Sequence, residues 1–257
     1  MHDLLAILSG SLIGLILGLV GGGGSIIATP LLLYVVGMPS VHAAIGTSAA
    51  GVTLSALGNL LAAMRRGLVK WPCAIVFSAS GMLGSYAGVR LALLLPGSRI
   101  LFLFALLMIA VGMIMLLRKD AEGDPGVRLT IRTARRMMPW LVAIGFATGL
   151  LAGFFGIGGG FLIVPGLMLA TGMPITYAIG TSLVAITAFG AVTAASHAWA
   201  GDVIWRDVGL FLAGGIAGSV IGQGAGRLLE PHKRGLQSVF ASAVIAVGLF
   251  TLYRGLP

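Results

Sequence analysis

Two glycine clusters are the places where this chain could do chemistry. One is Gly21-Gly22-Gly23-Gly24 and the other is Gly156-Ile157-Gly158-Gly159-Gly160. Each interrupts an apolar stretch and is followed by an apolar segment of only 11 residues, 26–36 or 161–171. Backbone cannot be left unpaired in lipid, so a break of this kind must be buried in protein or line a wet cavity. Glycine also lets a ligand approach the backbone closely. Helices starting near Ser25 and Gly160 would offer orphan N–H groups and a positive dipole end, which suits an anion. Gly23, Gly24, Ser25, Gly158, Gly159 and Gly160 are therefore candidate ligand contacts. The competing reading is that the glycines serve only close helix packing. That second reading fits Gly81, Gly84 and Gly88 better.

Hydroxyl pairs come next. Thr47-Ser48 and Thr181-Ser182 each follow an Ile-Gly dipeptide, two turns into the span after a short segment. They could donate to an anion held at the breaks. They could equally bond the preceding turn or a neighbouring helix. Asn59 and His197 lie in the same spans, and Asn59 aligns with Thr193. An ionisable group inside a membrane segment is a functional candidate, and His197 could carry a coupling proton. His197 also stands close to Gly201, near a span end, so a gate is an equal reading. His42 is expected in a solvated loop. All seven acids lie in loops or near span ends. That argues against a cation pore and suits an anionic substrate. Arg90 can snorkel as an anchor or act as an anion lure. No metalloprotease, Walker or nucleophile-elbow motif is present, and the four histidines are too scattered to read as a metal site. No cofactor, metal or catalytic residue is expected.

The elements that must position these residues are membrane helices. Of 257 residues, 58% are hydrophobic and 9% charged. Soluble domains carry roughly 25% charged residues. Between Asp3 and Arg65 lie 61 residues without a charge, and between Arg136 and Asp202 another 65. Each desert holds more than one span of about 20 residues. Alternating strands of an outer-membrane barrel do not look like this. The net charge of +9 sits in short loops, so it reads as positive-inside bias and lipid attraction, with no nucleic-acid partner. Cys73 is alone and reads as packing. Apolar segments fall at 4–20, 26–36, 41–64, 71–95, 99–117, 137–155, 161–171, 175–199, 208–229 and 235–253.

The chain also repeats itself. Pro30 and Gly37-Met38-Pro39 match Pro165 and Gly172-Met173-Pro174 at an offset of 135. At an offset of 134, Ile45-Gly46-Thr47-Ser48 matches Ile179-Gly180-Thr181-Ser182, and Gly67, Trp71 and Ser85 match Gly201, Trp205 and Ser219. The expected architecture is an all-α polytopic membrane protein of two homologous repeats. Residues 1–117 form one membrane bundle, 118–136 a basic polar linker, and 137–257 the second bundle. Residues 4–20 match internal residues 137–155, so they are expected to be part of the fold rather than a signal peptide. Each repeat would hold a Gly-broken, re-entrant helix followed by three full spans. Three spans invert the second repeat, as is usual for paired broken helices. If 4–36 were one broken span, the repeats would run parallel. Trp71 and Trp205 read as interface anchors.

The paired glycine break, Pro, G-M-P and G-T-S pattern resembles the TauE/SafE/YfcA-type sulfite exporter superfamily, over nearly the whole chain. The residues are Gly21–Gly24, Pro30, Gly46-Thr47-Ser48 and Asn59, then Gly156–Gly160, Pro165, Gly180-Thr181-Ser182, His197 and Gly201. The resemblance implies a duplicated carrier in a bacterial-type plasma membrane. It implies small sulfur-containing anions as substrates: sulfite, thiosulfate or organic sulfonates. The residues themselves give only an anion held mid-membrane by backbone and hydroxyls. An anion channel, a non-transporting scaffold and a membrane enzyme are the rivals, the enzyme being the weakest.

Overall fold

The computed structural model describes residues 2–20, 25–117, 131–156, 160–228 and 233–255. Those residues are helical wherever they are regular. The order is α1 (His2–Val20), α2 (Ser25–Pro30) continued by a π-helical segment (Leu31–Val36), α3 (Val41–Arg65), α4 (Trp71–Leu93), α5 (Gly97–Leu117), α6 (Ile131–Phe155), α7 (Gly160–Thr171), α8 (Ile175–Trp199), α9 (Trp205–Leu228) and α10 (Lys233–Gly255). Among the described residues, five helices are long and apolar enough to cross a membrane: α3, α4, α8, and the stretches Gly97–Ile114 and Met137–Phe155. The outer surface carries exposed Leu83, Leu94, Val220 and Val239. They belong to a long series of exposed large apolar side chains, more than a soluble surface ordinarily carries, and lipid accepts them.

Local chemistry sets the helix ends. The Ser40 hydroxyl accepts the Ala43 N–H at 3.0 Å and starts α3. Pro72 occupies the first turn of α4, where its missing N–H costs nothing. Gly67 and Gly201 take φ +67° and +81°, so each can turn the chain sharply after a long helix. Pro30 cannot donate to the preceding turn, and the helix widens to π register beyond it. Pro165 stands inside α7 without that widening.

Two boundaries differ from the sequence reading. α6 begins at Ile131, within the stretch 118–136 read as linker. Its polar first turns continue the helix of the apolar span that follows. Residues 118–130 lie outside the described residues. His42 belongs to the first turn of α3 and is half-buried, where a solvated loop was expected. The Ser40 cap starts the helix just before it.

Helix packing is reciprocal. α1 lies along α9 and α6 along α4, while α3 faces α8 and α5 faces α10. A Cβ on Gly14, Gly218 or Gly222 would overlap the backbone of Gly215, Ser11 or Leu15. In the other pair, a Cβ on Gly149, Gly84 or Gly88 would overlap the backbone of Gly81, Phe146 or Leu150. Backbones meet because a glycine stands at each contact point, which is how helices associate without a hydrophobic drive in lipid. Gly84→Leu or Gly218→Leu should therefore push the pair apart and cost at least the roughly 1–3 kcal/mol of overpacking. Thermal melting of purified variants, with Leu83→Ala on the outer face as control, checks this.

The contacts also fix helix directions. Ser11 and Leu15 meet Gly218 and Gly222 in the same order, so α1 and α9 run parallel; so do α4 and α6. α3 and α8 run antiparallel, since His42 lies beside His197 at one end and Thr181 bonds Lys70 at the other. α1, α3 and α9 thus start at the end where α8 finishes. The chain leaves that end through α1 and returns to it through α2 and the π segment.

Candidate functional site

The end of α6 is the described part of the second break. Gly156 has φ +65°, and a Cβ there would run into the Ile45 side chain of α3. The Gly156 carbonyl faces the Ser48 hydroxyl at 3.4 Å. Ser48 also approaches the Ile45 carbonyl at 3.0 Å and Thr29 Oγ1 at 3.1 Å. One hydroxyl has one proton to give. Thr29 can donate to Ser48 while Ser48 donates to Ile45 or Gly156. The result is a buried hydroxyl pair on α2 and α3 set against the break of α6 and α7. Ser25 and Gly160, which open α2 and α7, are both buried. Gly23, Gly24, Gly158 and Gly159 lie outside the described residues. Thr29 was missed from sequence. Its signal was a hydroxyl in an otherwise apolar short segment, directly before the matched Pro30.

Ser182 donates to the Ile179 carbonyl at 2.8 Å, one turn back. Thr47 and Thr181 bond across to neighbouring helices, the competing reading of these hydroxyls. Thr47 Oγ1 accepts the Ile204 N–H at 3.1 Å, and Thr181 Oγ1 accepts the Lys70 N–H at 3.0 Å. Ile204 and Lys70 immediately precede α9 and α4, so each threonine satisfies an amide at the start of a helix packed beside its own. The preceding glycines make room. A Cβ on Gly46 would sit 2.5 Å from the Asp202 carbonyl oxygen, and one on Gly180 would sit 2.5 Å from that of Leu68. Accepting leaves each threonine proton available for a second partner.

Asn59 and Thr193 lie toward the C-terminal ends of α3 and α8, at matched interhelix bonds. Asn59 Oδ1 accepts the Ser219 hydroxyl at 3.0 Å, and Thr193 pairs with Ser85 at 3.1 Å. Asn59→Leu should cost about 1 kcal/mol, the scale of an interhelical bond in a membrane. A double-mutant cycle with Ser219→Ala measures the coupling. His197 is fully buried at the last turn of α8, and its Nδ1 donates to the Thr193 carbonyl at 3.0 Å. Arg90 is exposed and donates from Nε to Tyr86 at 3.2 Å, so it anchors rather than lines the site. Trp71 and Trp205 are exposed at the first residues of α4 and α9. Cys73 is buried in the core. Among the described residues, no group of three metal-ligating side chains comes together.

A bundle of apolar helices with large apolar side chains on its outside defines a multi-pass membrane protein. The model of the sulfite exporter TauE/SafE family matches residues 6–251. This protein belongs to that family. It is 45% identical to a "Probable membrane transporter protein" of Xylella fastidiosa, covering 96% of this chain and 93% of the relative. It is 27% identical to the "Probable membrane transporter protein YdhB" of Bacillus subtilis, covering 97% and 100%. No solved structure matches the chain.

Proposed function

We propose that the protein is a secondary transporter for a small sulfur-containing anion such as sulfite, thiosulfate or an organic sulfonate. The anion binds mid-membrane between the two glycine breaks, in a bacterial-type plasma membrane. The observation that carries this is the buried Ser48–Thr29 pair held against the Gly156 carbonyl. Ser48 can turn its proton from that 3.4 Å contact to an anion without losing its place on α3. Ser25, Gly160 and Ser182, with Gly23, Gly24, Gly158 and Gly159, complete the donor set. Thr47 and Thr181 hold the starts of α9 and α4 and offer their remaining protons. Asn59, Thr193 and His197 stand further off and shape access and coupling.

The reciprocal packing supports inverted repeats. Thr47 with Ile204 mirrors Thr181 with Lys70, and Asn59 with Ser219 mirrors Thr193 with Ser85. Matched helices α3 and α8 run antiparallel, as an inverted pair must. Such a framework can alternate access by rocking one repeat against the other. Reconstituted vesicles test the reading. Sulfite or thiosulfate uptake should saturate and show counterflow. Flux that rises linearly with concentration and carries single-channel current would make it an anion channel.

A further inference from the structure

The two inner corners of the bundle share a framework but not a chemistry. In both, a glycine (Gly46 or Gly180) admits the loop after a long helix, and a threonine (Thr47 or Thr181) bonds an amide of that loop. In one corner stand His197, Asp202 and His42. The matched places in the other hold Ala63, Leu68, and Thr176 or Tyr177. Lys70 there lies 4.3 Å from the centroid of the Tyr177 ring. One corner therefore has a standing positive charge and the other a pair of imidazoles. Packing does not require the difference, because the same backbone contacts form at both.

The two imidazoles are neighbours, and each has a buried nitrogen without a hydrogen-bond partner. The His197 Nδ1–H is committed to the Thr193 carbonyl. That fixes the neutral tautomer with a lone pair on Nε2, which is buried and without a hydrogen-bond partner. His42 Nδ1 is likewise buried and without a partner. The ring centroids are 6.4 Å apart and tilted by 30°. Two imidazoles bridged by one hydrogen-bonded oxygen have centroids roughly 6–7 Å apart, given N···O distances near 2.8 Å. Asp202 lies on the loop between, its N–H bonded to the His197 carbonyl at 2.8 Å, and its carboxylate and His42 are the charged or titratable groups that act on His197. The next acids and bases toward α1 and α9 pair with each other: Arg206 with Asp3 at 2.8 Å, and His2 with Asp207 at 3.7 Å.

We infer that His42 and His197, with one bridging water and the Asp202 carboxylate, form the proton-binding site that couples anion transport to the pH gradient. The proposal rests on the transporter reading above. The proton adds to the free imidazole nitrogen through the bridging water while the site faces one side of the membrane, and it leaves to water on the other side after one repeat rocks against the other, with no other bond changed. A bound proton would give this corner the positive charge that Lys70 gives the other.

Two measurements test it. Vesicles containing the protein are given a one-unit pH gradient and 35S-sulfite or 35S-thiosulfate. One coupled proton supports about tenfold accumulation. His42→Gln should lose that accumulation and keep anion-for-anion exchange, since exchange moves no net proton. Accumulation unchanged in His42→Gln, or accumulation and exchange lost together, overturns the proposal. Separately, 15N-histidine NMR of the full chain follows both imidazoles with pH. His42→Gln should shift the His197 titration midpoint, because coupled sites titrate as a pair. An unmoved midpoint overturns the proposal whatever the substrate. Failure of the wild type to exchange either anion, with the titrations still coupled, contradicts the substrate reading and leaves the proton site standing.

Discussion

Gly156→Val is expected to yield no transport and little folded protein. Two costs combine at that position. Gly156 sits at φ +65°, where an L side chain costs roughly 1–2 kcal/mol. A Cβ there also overlaps the fully buried Ile45, and overpacking adds roughly 1–3 kcal/mol. The two can be separated. Gly156→Ala keeps both costs in milder form, and Ile45→Ala beside it removes the steric one. The double variant should melt above Gly156→Ala alone and still fall short of wild type. Vesicle uptake of sulfite and thiosulfate should be lost in Gly156→Val. Wild-type melting and uptake in Gly156→Val would show that the chain at this break is not held as described.

Thr47→Val combined with Thr181→Val should destabilise the protein although both changes are near-isosteric. Each removes the acceptor of a helix-starting amide, Ile204 or Lys70. A fully buried donor left unsatisfied costs about 1–3 kcal/mol, and these two part-buried amides should fall toward the lower end of that range. The two corners lie at opposite ends of the bundle, so the costs should add. Threonine to serine keeps the acceptor and should be nearly silent. Hydrogen exchange should speed up at Ile204 and Lys70 and not at the middle of α4. From sequence alone the same double variant is expected to weaken anion binding without unfolding the protein. Its interpretation now needs the serine control, since lost binding could follow from a displaced α9 or α4.

Much of this was legible in the residues. The charge deserts placed the spans, and the glycine clusters marked where α1 gives way to α2 and α6 to α7. The matched Gly46-Thr47 and Gly180-Thr181 pointed to equivalent corners. The use made of those corners was not legible. No spacing tells that Thr47 reaches an amide 157 residues away, because that contact depends on α3 and α9 being brought together by the whole bundle. The His42–His197 proximity was hidden for the same reason. The residues are far apart in sequence and became neighbours only because α3 and α8 run antiparallel. Thr29 was overlooked because a lone hydroxyl in an apolar segment has an ordinary use in bonding its own helix. Ser85 and Ser219 were visible as a matched pair, but only the packed helices revealed Thr193 and Asn59 as their partners.

The central claim is that an anion binds at the glycine breaks through Ser48 and Ser182. Thermal stability of the purified protein, measured against sulfite, thiosulfate, sulfate, taurine, sulfoacetate and chloride, tests it most directly. A ligand that binds only the folded state stabilises by about 2.7 kcal/mol at 100-fold over its dissociation constant. One sulfur anion should raise the melting temperature of the wild type and fail to raise that of Ser48→Ala with Ser182→Ala above its own ligand-free value, which should lie below wild type because the buried Thr29 hydroxyl loses its partner. No shift with any of these anions, or the same shift in the wild type and the double variant, would contradict it.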